Sequence, residues 1–228
     1  MVQSSTALPV LRGVPIPMTW DEFIAWDVEG KTEWIDGEGI AYVSSSARHV
    51  RLVVFLAGLL GRYVRAFDLG EVLIENLIVR LPTRPSGRAP DVFVIGRSDA
   101  ERVLPKWVEG PVPFAVEIIS EDSVERDTVE KRAEYERAGV TEYLIVESRP
   151  NRRDVTFLRL DDDGRYRPVE PDADGRYHSG ILSGFWFDPE WFGQDPLPEV
   201  DDLLLEIAPD AYEAWLLARI RAHRGAPT

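Results

Sequence analysis

Two carboxylates stand inside apolar, strand-like runs of this 228-residue chain, and this feature constrains the fold most. Asp91 opens the run that ends at Ile95, and Glu117 interrupts the run from Phe114 to Ile119. A carboxylate is rarely buried fully unless a partner or a metal ion compensates for its lost hydration. Apolar residues on both sides of Glu117 favour a central strand. The pattern therefore predicts adjacent buried strands whose acidic side chains share a cationic partner.

A lysine downstream makes a divalent-metal site the leading interpretation of these carboxylates. Mg²⁺ prefers oxygen ligands, with water and substrate phosphate completing its coordination. Asp91 and Glu117 could supply two ligands and the main-chain carbonyl of Ile118 a third. Lys131 could neutralise a scissile phosphate or orient the attacking water.

Simpler interpretations of the same residues stay open at this stage. Asp91 could be a strand-entry residue whose side chain lies in solvent. Lys131 could lie on an exposed helix face. Asp127 reads as the N-cap of the helix that carries Lys131, and its i,i+4 spacing to that lysine could be wholly structural.

Composition limits the class of protein. The chain is 44% hydrophobic, which is enough for one large core, and it has no cysteine, which excludes disulfides and thiolate metal sites. No apolar run approaches the length of a membrane span, and the first residues lack the features of a signal peptide. These observations predict a soluble cytoplasmic protein that does not enter a membrane.

The order of the predicted elements indicates a mixed α/β or α+β domain. Asp36-Gly37 lies between two extended runs and predicts a hairpin turn. A long helix is predicted from Ala47 to Phe67, a loop from Pro82 to Ala89, and a helix from Asp127 to a C-cap at Gly139. The expected organisation is a flexible arm over 1–17, a main domain over 18–194 and a C-terminal helical extension over 195–228.

An ordered series of short motifs carries a family resemblance over roughly residues 18 to 192. The motifs are Thr32 to Glu38, Arg48-His49, Ala89 to Val92, Val116 to Ser120, Arg126-Asp127, Lys131, Tyr135 and Ala138 to Val146. The series resembles the Uma-two family, whose members are described as putative endonucleases of the restriction-endonuclease-like PD-(D/E)xK superfamily. The resemblance implies a mixed central sheet flanked by helices.

The resemblance also implies site roles. Asp91 matches the metal-binding aspartate and Glu117 the second acidic ligand. Ile119 stands where the superfamily pattern has its lysine, and the family takes that lysine from the following helix, here Lys131. Glu33 matches an acidic position of the family, where it could be a third metal ligand or a carboxylate that supports the ligands from outside the coordination shell. Alternatively, Glu33 could be a strand residue that faces solvent.

Three further residues are candidates for contacts around the site or with phosphate. His49 could contact a metal or a phosphate, although a hydrogen bond at the helix start is the simpler interpretation. Tyr135 could donate a hydrogen bond into the site or pack under the sheet. Asp127, one helical turn before Lys131, could position that lysine.

The hypothesis that follows is an endonuclease that hydrolyses DNA with Mg²⁺ or Mn²⁺. The alternative is a non-catalytic protein that keeps the fold as a binding or assembly module. A formal net charge of −14 favours the alternative, since an acidic surface repels DNA at long range. Leu203 to Leu205 and Trp215 to Ile220 are candidate contact surfaces for a homodimer.

Overall fold

A computed structural model describes residues 12–42, 46–121, 123–149 and 154–225. The strands in chain order are β1 (Ile16–Pro17), β2 (Thr32–Ile35), β3 (Glu38–Ala41), β4 (Gly70–Ile74), β5 (Ile78–Leu81), β6 (Ser86–Arg88), β7 (Val92–Gly96), β8 (Trp107–Glu109), β9 (Phe114–Ile119), β10 (Glu142–Glu147), β11 (Val155–Leu160), β12 (Tyr166–Pro168), β13 (Tyr177–His178) and β14 (Trp186–Phe187). The α-helices are α1 (Trp20–Ala25), α2 (Ala47–Ala66), α3 (Arg132–Ala138), α4 (Val200–Ile207) and α5 (Pro209–Gly225).

Two six-stranded mixed sheets form the framework. One sheet has the order β1-β3-β2-β6-β5-β8, and the other has the order β12-β11-β10-β9-β7-β4. Strands β9 and β10 are parallel, and the connection between them contains helix α3. A helical crossover is the usual connection between neighbouring parallel strands. This arrangement confirms the predicted mixed α/β fold with flanking helices.

The central strands of the second sheet, β9 and β10, are buried on both faces. All six residues of β9 are buried, which explains why its sequence is apolar except at Glu117. Helix α2 covers one face, where Val116 and Ile118 point, and α3 covers the other, where Ala115 and Ile119 point. Side chains alternate along a strand, so Glu117 shares the α3 face.

The Asp36-Gly37 prediction is confirmed. Strands β2 and β3 pair in antiparallel register, and Asp36 and Gly37 between them have φ values of 51° and 89°. Two successive positive φ angles are the geometry that favours Asp-Gly in a two-residue hairpin turn.

The predicted loop from Pro82 to Ala89 is partly wrong. Its last part forms β6, which pairs with β2 and β5 and is buried throughout. A Cβ at Gly87 would lie 2.6 Å from the Ile78 side chain, so only glycine permits this close approach. The strand is too short and too polar to be recognised from its residue types.

The predicted helix start at Asp127 is also wrong. A π-helical segment, Arg126–Lys131, leads directly into α3, and the Asp127 N–H already donates to the Ser123 carbonyl within a helical turn. Asp127 therefore lies inside the helix. Gly139, with a φ of 93°, ends it as predicted.

Within the described residues, parts of the predicted N-terminal arm and C-terminal extension pair with or pack on the main domain. Ile16–Pro17 pairs with β3, whereas residues 1–11 of the predicted arm lie outside the described residues. Helix α4 packs on the core that contains α2, and Leu203 and Leu204 are buried there. Those two leucines are therefore unavailable as a dimer surface, whereas Leu205 is 41% exposed.

Replacing Leu204 with alanine tests whether the C-terminal helices belong to the main core. We expect Leu204→Ala to lower the free energy of unfolding by about 2–5 kcal/mol, because it removes buried methyl groups and leaves a cavity. Leu205→Ala, on the exposed face of the same helix, should change it by less than about 0.5 kcal/mol. Urea denaturation of the whole chain measures both, and equal effects would contradict this packing.

Candidate active site

Three carboxylates form a row across the second sheet. Strands β7 and β9 pair Val92 with Val116, and one further step in this register sets Asp91 opposite Glu117. Strands β4 and β7 pair Ile74 with Val92, and the Glu75 N–H donates to the Asp91 carbonyl at 3.2 Å. Glu75, Asp91 and Glu117 are thus neighbours on adjacent strands. Like charges placed opposite each other destabilise a sheet unless cations compensate for them.

The Asp91 side chain is buried. Its Oδ2 accepts a hydrogen bond from the Ile118 N–H at 2.7 Å, and its Oδ1 lies 2.5 Å from Lys31 Nζ. The alternative of a solvent-facing strand-entry residue is therefore wrong. Burial opposes ionisation of Asp91, but attraction to the Lys31 ammonium and to His49 outweighs it and lowers the pKa below its usual range.

Lys31 bridges the two central carboxylates. Its ammonium nitrogen lies 2.5 Å from Asp91 Oδ1 and 3.5 Å from Glu117 Oε2, and the side chain is 13% exposed. Sequence reasoning missed this residue. The available indication was its position two residues before Glu33, which places both side chains on the same face of an extended segment.

Lys131 is wholly buried beside the other oxygen of Glu117. Its Nζ lies 2.8 Å from Glu117 Oε1, 2.9 Å from Glu33 Oε1 and 3.4 Å from Asp127 Oδ1. The exposed-helix alternative for Lys131 is therefore wrong. The predicted i,i+4 proximity of Asp127 and Lys131 is present, but inside the helix.

Tyr135 also faces this carboxylate. Its hydroxyl donates to Glu117 Oε1 at 3.0 Å, and its ring packs edge-on against Tyr143. Tyr135 thus does both things proposed for it. Burial raises the pKa of Glu117 to about 7, although Lys131 and Lys31 oppose this rise. The proton affinity of this carboxyl is therefore unusually high for a glutamate.

Glu33 is buried rather than solvent-facing, and both of its oxygens are occupied. Lys131 and the Ala89 N–H contact Oε1, whereas Arg88 Nη1 at 3.0 Å and the Tyr42 hydroxyl at 3.1 Å contact Oε2. Burial disfavours the charged form, but Lys131 and Arg88 outweigh it and lower the pKa of Glu33. A carboxylate with four donors is held in place and leaves little capacity for a metal ion.

Arg88 continues this network away from Asp91 and Glu117. The side chain is fully buried and donates from Nε and Nη2 to Glu134 Oε2 at 2.8 and 2.7 Å. Glu134 also accepts from the Ser86 hydroxyl. Strand β6, which was predicted as a loop, therefore supplies Arg88, the cation that holds Glu33. Arg88 lies three residues before Asp91 in the chain.

His49 lies at the start of α2, where its N–H donates to the Ser46 hydroxyl. The simpler interpretation predicted this hydrogen bond, but the bond involves the main-chain N–H of His49 and not its imidazole ring. The imidazole reaches the carboxylate row, with Nε2 3.6 Å from Asp91 Oδ1. The ring is 4% exposed.

Carboxylates buried beside lysines form a polar cluster of the kind that makes a candidate functional site. The fold is similar to a crystal structure described as a putative nuclease belonging to DUF820 from Anabaena variabilis ATCC 29413. The TM-score is 0.64 at 17% sequence identity, and the match covers 77% of this chain and 97% of that one. No functionally curated protein matches the chain.

The family follows from the sequence match. Residues 20–190 match the model of the Uma2 family, described as "Putative restriction endonuclease". The match spans most of the chain, and the chain belongs to this family. The predicted family is therefore confirmed.

In the described part of the chain, no helix has the length and apolar character needed to cross a membrane.

Proposed function

We propose that this protein is a DNA endonuclease that hydrolyses phosphodiester bonds with Mg²⁺ or Mn²⁺ held by Asp91, Glu117 and the Ile118 carbonyl. One observation carries the proposal: Asp91 and Glu117 lie opposite each other with Lys31 and Lys131 against them. A soluble core has no structural need for this costly arrangement, because apolar residues would stabilise it as well or better.

The donor atoms suit a hard divalent cation. Glu117 Oε2 is buried and has no hydrogen-bond partner in the described structure. The Ile118 N–H points at Asp91, and the carbonyl of the same residue points to the same side of the strand. Carboxylate and main-chain oxygens are the ligands that Mg²⁺ and Mn²⁺ prefer.

A cation bound there would lower the pKa of a water ligand and stabilise negative charge on the phosphate. The chain's own groups prepare the site. Lys131 and Tyr135 hold Glu117 Oε1, so that Oε2 faces Asp91 and Lys31. Glu33 positions Lys131 and is itself fixed by Arg88. Asp127 Oδ1 is the third carboxylate oxygen near the Lys131 ammonium, at 3.4 Å.

Lys31 and Lys131 have different roles in this proposal. Lys131 is completely enclosed, so it acts through Glu117 and cannot reach a phosphate without leaving three carboxylates. Lys31 is the more exposed lysine and stands between the two proposed metal ligands. Its flexible stem lets the ammonium turn from Asp91 toward a substrate phosphate, where it would neutralise charge.

The second candidate function is that of a binding or assembly protein that has lost cleavage. The net charge of −14 and the Lys31 bridge across Asp91 and Glu117 favour it, since an ammonium already occupies the space between the two carboxylates. DNA binding that is independent of divalent metal, or no DNA binding at all, would fit this alternative.

The deciding experiment is a cleavage assay on single-stranded and double-stranded DNA. We expect the wild type to cut at least one substrate with Mg²⁺ or Mn²⁺ and to be inactive with excess EDTA. Restoring the metal should restore cleavage, because EDTA removes only the cation. Activity in EDTA would overturn the metal mechanism, whereas inactivity on every substrate would favour the binding alternative.

A further inference from the structure

The carboxylate row extends past the proposed catalytic pair to a histidine from another element. His49, Glu75 and Asp91 each offer one potential ligand atom, and these atoms lie within 4.8 Å of one another. Helix α2, the turn after β4 and the start of β7 supply them. We propose that these three residues form a second cation site, for a divalent transition metal, beside the one between Asp91 and Glu117.

The histidine provides evidence beyond the clustering of acids. His49 is 4% exposed, and neither of its ring nitrogens has a hydrogen-bond partner within the described residues. A hydrogen bond to Asp91 would satisfy only Nε2 and leave Nδ1 unpaired. Buried polar atoms without partners are uncommon in folded proteins, and an absent ion is one of the standard explanations.

Glu75 adds a second unpartnered atom. Its Oε2 is buried and has no hydrogen-bond partner among the residues described. The main-chain bond from Glu75 to Asp91 holds the two carboxylates on neighbouring strands, where they repel each other. Lys31 contacts Asp91, but no ion pair joins it to Glu75 in the described structure. A cation between Glu75, Asp91 and His49 would relieve this repulsion.

The donor set selects the kind of metal. Imidazole nitrogen suits Zn²⁺ and other late transition metals, and Mn²⁺, which prefers oxygen, also accepts an imidazole beside carboxylates, whereas Mg²⁺ and Ca²⁺ prefer oxygen ligands. Ligand atoms at about 2.1 Å from one cation lie at most about 4.2 Å apart. Small rotations of the Glu75 and His49 side chains close the remaining difference. The site is thus expected to discriminate against Mg²⁺, unlike the all-oxygen pair at Asp91 and Glu117.

Electron paramagnetic resonance with Mn²⁺ tests the site without relying on activity. The chain has three histidines, so untagged protein offers few imidazoles that could couple to bound Mn²⁺. We expect pulsed spectra of the wild type to show ¹⁴N coupling and His49→Gln to lose it. Glu75→Gln should weaken this Mn²⁺ binding at least tenfold. Excess Zn²⁺ should displace the coupled Mn²⁺, whereas Mg²⁺ should not.

Three control variants isolate the site. His178→Gln changes an exposed histidine paired with Asp172, and Glu71→Gln changes an exposed glutamate on β4; both should retain the coupling. Glu117→Gln should also retain the ¹⁴N coupling, because Glu117 belongs to the proposed cation site with Asp91 and not to the one with His49 and Glu75. Coupling that persists in His49→Gln, or Mn²⁺ affinity that is unchanged in both His49→Gln and Glu75→Gln, would overturn the proposal.

This test separates the two proposals. Bound Mn²⁺ without nitrogen coupling, lost in Glu117→Gln, would overturn the second site and leave the proposed catalytic site intact. Nitrogen-coupled Mn²⁺ in a protein that cleaves no DNA would support the second site and count against the endonuclease. No Mn²⁺ binding by the wild type would overturn both metal sites.

Discussion

Replacing Asp91 with asparagine is expected to reduce metal-dependent DNA cleavage by about a hundredfold to a thousandfold, and Glu117→Gln should have a similar effect. Each change keeps the size of the side chain but removes the negative charge that would hold the cation. Loss of a single electrostatic contact to a transition state typically costs about 10²–10³-fold in rate. Single-turnover cleavage with saturating Mn²⁺ measures the chemical step, and circular dichroism reports whether each variant is folded.

Glu142→Gln is the matched control for these carboxylates. Glu142 is also a buried strand glutamate, but it lies at the opposite end of β10 from the site and pairs with Arg159. Its replacement should leave cleavage within about twofold of wild type, even if stability falls. Metal-dependent cleavage that survives in both Asp91→Asn and Glu117→Gln would contradict the proposed mechanism.

Replacing Lys131 with methionine is expected to lower the free energy of unfolding by about 3–5 kcal/mol, because it leaves buried carboxylates without their ammonium partner. Lys131 contacts Glu117, Glu33 and Asp127, and all four side chains are almost completely enclosed. Methionine preserves most of the apolar volume, so the loss reports charge rather than packing. Urea denaturation monitored by tryptophan fluorescence measures the change.

Two comparisons make this result specific. Lys106→Met changes an exposed lysine and should alter the unfolding free energy by less than about 0.5 kcal/mol. The double variant Lys131→Met/Glu117→Gln should recover part of the loss, since one uncompensated charge is then absent. A Lys131→Met protein as stable as Lys106→Met would show that Lys131 does not hold these carboxylates together.

Lys131 and Lys31 have different surroundings, which would give them different roles. If Lys131 acts through Glu117, its replacement affects stability and cleavage together. Lys31, with 13% exposure and contacts to Asp91 and Glu117, stands closer to any substrate. The Ile119 side chain, two residues after Glu117, packs in the core on the α3 face of the sheet.

Much of the site could be predicted because a charged residue within an apolar run is easily recognised in the sequence alone. Asp91 and Glu117 stood out in this way, and their opposition follows from antiparallel pairing of β7 and β9. Glu75 and Lys31 did not stand out, because each lies at the polar end of a strand, where charged residues are common. Arg88 could not be singled out either, because it lies in a segment rich in turn-forming residues, where charged residues are also common.

The buried strands, the Asp36-Gly37 hairpin, the helix end at Gly139 and the family could all be predicted from residue order, because each depends on local pattern or on the order of motifs. The pairing of each cation with its carboxylate depends on the folded chain. Lys31 reaches Asp91 across 60 residues and Arg88 reaches Glu33 across 55, so strand register brings them together. Burial then strengthens the attraction within these ion pairs, because charges removed from water interact far more strongly than charges on a surface.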